Sequence, residues 1–280
     1  MLVVDFHIHP TTKGLLPWVY DWMIGFLPPG VDPQGFLDET VTKEGMVRVL
    51  DENGLDYAVA LAELNPRVTG VITNEELAEL CRGVDRLIPF GDVNPHLTAS
   101  PAEELDRCVR EWGFRGVKLY PVYQLFYAND RLLYPFYEKA QELGIPIMIH
   151  TGSSIFPGVR LKYGDPLLLE DVVMDFPDLT LVLVHGGRGF WYDTAFFLSR
   201  AHRNVYLEIA GLPPRSLLDY FPDLESYADK VIFGSDWPGP SPKKNIDAIN
   251  ALPISEEAKA KILGGNAARI LRLDTTPRKA

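Results

Sequence analysis

The chain has 280 residues, 46% hydrophobic and 23% charged, a balance that excludes a disordered, collagenous or coiled-coil polypeptide and supplies enough apolar mass for a large core. Twenty-seven Lys and Arg against 38 Asp and Glu leave a net charge of −11 with no basic run to relieve it, so neither nucleic acid nor an anionic membrane is the expected partner. The opening MLVVDFHIHP lacks a basic n-region and interrupts its apolar run with Asp5 and two histidines, and nothing reaches the ~18 apolar residues of a membrane span. The expectation is a cytoplasmic protein with a small-molecule partner, and with room for a homo-oligomer.

Eight short β-rich runs recur along the chain, at 2–9, 57–62, 87–93, 115–120, 145–150, 180–185, 204–210 and 231–236. Several, such as IPIMIH and TLVLVH, are almost continuously apolar, as parallel strands covered on both faces must be. Helical patterns fill the gaps. Thr73 with Glu76 and Ser100 with Glu103 read as capping boxes, and Asp130 opens a helix that Gly144 ends. Cys81 and Cys108 fall at helical spacing among apolar residues and read as buried thiols. Strand and helix alternating eight times, with most starts about 30 residues apart, fit a (β/α)8 TIM barrel better than a doubly wound sheet. No linker divides residues 1–280, so one domain is expected.

Two connections are longer than a barrel needs. Residues 10–42 carry Trp18, Tyr20, Trp22 and Phe26, too aromatic for a solvated linker, and suggest a lid; 121–129, with Tyr123, Phe126 and Tyr127, form a second aromatic loop on the same rim. Loops at the C-terminal face are where barrels bind substrates, although both could equally cover barrel surface.

Four of the six histidines, His7, His9, His150 and His185, end the first, fifth and sixth predicted strands, and Asp236 ends the eighth. Residues two apart share a face of a strand, so His7 and His9 point the same way and Phe6 and Ile8 are expected in the helix layer. Barrel closure then gathers three or four imidazoles and a carboxylate at its mouth. Such a donor set without thiolate suits zinc or a similar divalent ion, with a position left open for water. His202, at a helix end, reads as a dipole partner, and His96 as a candidate substrate contact.

The pieces DFHIHP (5–10), GFRGVKLYP (113–121), HTG (150–152), HGG (185–187), FGSDWP (233–238) and GNAARIL (265–271) resemble the amidohydrolase superfamily. The similarity is to the branch that includes aminocarboxymuconate-semialdehyde decarboxylase and resorcylate decarboxylases. It implies metal ligation by His7, His9, His150 and Asp236, with His185 beside the metal as an acid or base.

Asp236 and His185 are thus the expected catalytic groups, with Asp236 taking the proton of an attacking water. Lys118, Trp18, Trp22, Tyr120 and Arg67 are the expected substrate contacts. Lys118 has three readings: a carbamylated ligand bridging two metals, an ammonium that binds a substrate carboxylate, or an ion pair with Glu208 or Asp92. Arg67, Arg160 and Arg188 follow strands and are either solvated charges or local cations for an anionic substrate, while Glu208 is a candidate partner fixing an imidazole tautomer. The first expectation for function is a metal-dependent hydrolase of a small cyclic or carboxylated lactone, amide or ester; the alternative is a nonoxidative decarboxylase. A non-catalytic binding barrel would have no need of all these polar strand ends.

Overall fold

The computed structural model describes residues 1–10 and 14–273, so residues 11–13 of the aromatic stretch lie outside it. Among the described residues ten strands follow one another: β1 (Val4–Ile8), β2 (Tyr57–Leu61), β3 (Glu63–Asn65), β4 (Gly70–Ile72), β5 (Leu87–Asp92), β6 (Gly116–Leu119), β7 (Ile147–Gly152), β8 (Leu181–Arg188), β9 (Val205–Glu208) and β10 (Val231–Ile232). Eight form one parallel sheet in the order β1-β2-β5-β6-β7-β8-β9-β10. Backbone bonds from Phe6 to Phe233, His9 to Trp237 and Asp236 to His7, at 2.9, 2.7 and 3.0 Å, join its two edges and close the TIM barrel. All eight runs read from the sequence are its staves.

Alternation along each stave sorts apolar side chains into two layers. Val4, Phe6, Val59, Leu61, Ile88, Phe90, Met148, Val182 and Val184 fill the interior, which Ala267 and Leu271 close from below. The opposite faces, including Ile8, Ala60, Val117, Ile149, Leu183 and Leu207, pack with the surrounding helices. Phe6 is therefore inside, against the expectation, with its ring edge-on to Phe90 at 5.6 Å. The cause is a register shift between Asp5 and Ile8: the Asp5 carboxylate accepts the His7 N–H at 3.1 Å, and this bulge turns Phe6 and His7 to the same side.

Thr73 and Glu76 form the expected capping box, and Asp130 caps the turn that leads into the helix Tyr134–Leu143. Ser100 is the N-cap of the helix Pro101–Trp112 but makes no side-chain cap bond, so the expected reciprocal box is not formed there. Both cysteines are buried thiols. The β9–β10 connection, broken by Pro213, Pro214 and Pro222, holds only short turns such as Leu217–Tyr220 instead of a full helix. No helix among the described residues is long and apolar enough to cross a membrane.

Candidate active site

The C-terminal ends of the staves gather the polar residues. His7 Nε2 lies 3.0 Å from His9 Nε2, and both stand 3.3–3.4 Å from Asp236 Oδ1. Behind this trio each imidazole meets a carboxylate. His7 Nδ1 is 3.2 Å from Glu208 Oε1, and His9 Nδ1 is 2.6 Å from Glu63 Oε1. Glu208 also accepts the backbone N–H groups of His185 and Ala210, which fixes it completely. It reaches His7 because residue 234 is glycine: a Cβ there would stand 2.0 Å from Glu208 Oε1. Both His185 (φ 63) and Asp236 (φ 69) adopt the left-handed conformation that costs an ordinary residue about 1–3 kcal/mol, strain that concentrates at functional positions.

Charge follows from these surroundings. Burial and the nearby Lys118 hold His7 well below the usual imidazole range, and burial with Arg188 does the same for His150 and His185. Burial also disfavours charge on His9, but Glu63 and Asp236 outweigh it and lift its pKa to about 9. Asp236 is pushed up by burial and, more strongly, down by His7, His9 and His185, so it stays ionised. Burial raises Glu208 to about 8 and lowers Lys118 to about 8.

The trio passes a geometric test for a metal. Ligand atoms 2.0–2.1 Å from an ion stand about 3.0 Å apart at right angles and about 3.4 Å apart at tetrahedral angles, the range found here. With Nδ1–H donated to a carboxylate, each imidazole aims the lone pair of its Nε2 at the same point, an arrangement that needs a cation or a proton between them. His150 stands outside the trio: its Nε2 is 3.4 Å from Ser153 O, turned toward the following loop, while its buried Nδ1 has no partner.

Lys118 Nζ is 2.7 Å from His7 Nε2 and 4.7 Å from the centre of the Tyr120 ring. No ion pair joins it to Glu208 or Asp92; Asp92 is instead held by Gln124 and the Leu64 N–H. Of the three readings of Lys118, the ion pair with Glu208 or Asp92 is thus not formed here.

Above the trio opens a cavity of about 310 Å³. Lys118, Tyr120, Trp22, His150, His185 and Asp236 all line it. The stretch 10–42 contributes through Leu15, Val19, Trp22, Met23 and Phe26, mostly from the helix Pro17–Ile24, and Tyr123 and Phe156 complete the apolar wall. Two expected contacts do not reach it. Trp18 spends its indole N–H on Val68 O at 2.7 Å, which ties its half-exposed ring to the β3–β4 turn, and Arg67 is exposed on that same turn. His96 does not line the cavity either. Glu63 was missed by the sequence reading; its signal was a carboxylate closing the apolar run ALAEL at the end of a stave.

A model of the amidohydrolase family matches residues 4–273. The chain belongs to that family. Among its amidohydrolase relatives, the gamma-resorcylate decarboxylase of Rhizobium sp. (strain MTP-10005) is 27% identical over 248 residues, covering 72% of this chain and 75% of that one. The 2-keto-4-carboxy-3-hexenedioate hydratase of Sphingobium sp. is 31% identical over 214 residues, covering 64% and 62%. The crystal structure of a dihydroxybenzoic acid decarboxylase from Polaromonas sp., with bound manganese and the inhibitor 2-nitroresorcinol, shares the fold at a TM-score of 0.72, with 22% identity and 98% of each chain covered.

Proposed function

We propose that this protein is a metal-dependent, nonoxidative decarboxylase of a small planar acid with an oxygen substituent next to its carboxylate. The observation that carries this reading is the cavity itself. It is walled by aromatic rings, sits at the small end of ordinary ligand pockets, and holds two cations, Lys118 and Arg188, that form no ion pair with a carboxylate among the described residues. The decarboxylases among the relatives support the same choice over the hydrolase that the sequence alone placed first.

His7, His9 and Asp236 would hold the ion, with His150 as a further candidate, and this donor set accepts manganese as well as zinc. When bound, the ion would supply Lewis-acid stabilisation of the negative charge that builds up as CO2 leaves. Lys118 adds a second positive charge against that carboxylate. Trp22, Phe156 and Tyr123, with the Phe156 ring centre 5.6 Å from that of Trp22 and 6.4 Å from that of Tyr123, form a dry wall along which an aromatic ring can lie. His185 donates its Nδ1–H to Ala210 O at 2.8 Å, so its Nε2 carries the free lone pair. Nε2 can take a proton and deliver it to carbon as the C–C bond breaks; the bond pair accepts the proton and CO2 departs.

The test is CO2 release from a panel of ortho-hydroxylated aromatic acids by the metal-loaded protein. Release that disappears in His7→Ala is expected. Turnover of lactones or esters with no CO2 from any acid would contradict the proposal.

A further inference from the structure

We propose that Arg188 is a second anion-binding group of this site, and that the substrate is a dianion: one carboxylate is received beside Lys118 and a second acidic group by the Nη1 edge of Arg188. This extends the decarboxylase reading and depends on it only for which carboxylate departs; the binding claim stands without turnover.

Arg188 ends β8 and is held at both backbone and side chain. Its carbonyl accepts the Ser153 N–H at 2.8 Å, while its Nε and Nη2 donate to Ser153 O at 3.3 and 3.0 Å. These bonds fix the plane of the guanidinium and leave Nη1 with no acceptor. A planar fork held along one edge offers the other edge to a ligand at little further entropic cost. Nη1 also lies close to the metal trio. It stands 2.6 Å, and Asp236 Oδ2 3.0 Å, from the point where a Cβ would project from Gly211, whose φ of +67 and lack of side chain leave room for both. No ion pair forms between them, nor between Arg188 and any other carboxylate among the described residues, although Arg188 is half-buried and the chain as a whole is acidic. A guanidinium that is rigid, partly desolvated and lacking a counter-ion inside a cavity is completed by an anion from outside. Lys118 is on β6 and Arg188 on β8, with His150 of β7 between them, so the two cations approach the cavity from separate staves, as two acidic groups of one ligand require.

The experiment compares benzoate with benzene-1,3-dicarboxylate as non-reacting ligands of the metal-loaded protein, by calorimetry, in the native chain and in Arg188→Gln and Arg188→Lys. Gln keeps an amide donor for Ser153 O and loses the charge; Lys keeps the charge and loses the fork. In the native chain the dicarboxylate is expected to bind about tenfold or more tighter than benzoate. Arg188→Gln should remove that preference while leaving benzoate affinity within about twofold, with Arg188→Lys between the two. The native chain alone can overturn the proposal, by binding both ligands equally. Equal losses for both ligands in Arg188→Gln would also overturn it, since they would assign Arg188 to holding the 152–153 loop. A retained dicarboxylate preference without CO2 release from any acid would refute the decarboxylase reading and leave the second anion site standing.

Discussion

Glu63→Gln isolates the part of the site that the sequence did not reveal. Glu63 holds His9 Nδ1 at 2.6 Å and is itself gripped by the Thr69 hydroxyl and, at 3.3 Å, by Asn65 Nδ2. Replacing its charge with an amide keeps the volume and an acceptor for His9 but removes the anion that orients the imidazole and raises its basicity. Partners of metal-bound histidines typically contribute 10–100-fold in metal affinity, so Glu63→Gln should weaken metal binding by about that factor, on the order of 1–3 kcal/mol. The metal-free protein gives an independent readout. His9 is lifted from 6.5 to about 9 in the folded state, and such a raised pKa is worth on the order of 3 kcal/mol. For a raised histidine that stability is fully present below about pH 6.5 and is lost as pH rises through about 9. Glu63 is a lowered carboxyl, since the His9 charge and hydrogen bonds outweigh its burial; its share is lost instead as pH falls through its folded pKa, below the ordinary 4.5. After chelation, the native protein should therefore melt roughly 5–10 °C above Glu63→Gln near pH 6, with the gap closing as pH rises past 9. Chelator competition and melting curves read the two effects. Unchanged metal affinity, or a melting gap that does not vary with pH, would refute the role assigned to the pair.

Removing a trio ligand is the harsher test: His7→Ala or Asp236→Ala should each drop bound divalent metal well below the roughly one equivalent per chain expected of the native protein, as elemental analysis would show. Two equivalents in the native chain, with activity dependent on bicarbonate, would instead favour a carbamylated Lys118. The two tryptophans of the 17–24 helix should separate cleanly. Trp22→Ala is expected to raise KM several-fold with melting little changed, whereas Trp18→Phe, which loses only the bond to Val68 O, should cost about 1 kcal/mol of stability and leave KM unaltered. If the 10–42 stretch closes over ligand, Trp22 fluorescence should change on binding and the change should vanish in Trp22→Phe. Lys118→Met should weaken binding of carboxylated ligands by about tenfold or more, while melting temperature holds or rises because a buried cation is gone.

Periodicity alone made the barrel legible, because eight apolar runs with helical fillers admit few other closures. Histidines at stave ends showed where the site lies, since polar groups at the tips of buried strands have nowhere else to face. What stayed hidden was set by local departures from regular geometry. Counting alternate residues from His7 places Phe6 outside, and only the Asp5 bulge reverses it. Glu63 opens the β3–β4 hairpin, two three-residue strands too short to show alternation, so the sequence marks it only as a carboxylate after the apolar run of β2 and does not place it against His9. The same hairpin explains Trp18 and Arg67: one is drawn to its turn by a hydrogen bond, and the other sits exposed on it. The lid stretch, read as loop, contains the helices Pro17–Ile24 and Pro33–Thr40, each started by a proline at its first turn.

The central claim is that these strand ends support carbon protonation with loss of CO2, and isotope labelling of a single turnover mixture tests it most directly. An ortho-hydroxylated aromatic acid that the protein consumes would be incubated with it in D₂O and, in parallel, in H₂¹⁸O, with CO2 and product analysed by mass spectrometry. Decarboxylation predicts one deuterium on the carbon that bore the carboxylate, CO2 in equal amount to product, and no solvent ¹⁸O in the organic product. Solvent ¹⁸O in a product acid or alcohol, without CO2, would contradict the account and identify hydrolysis or hydration as the chemistry of this site.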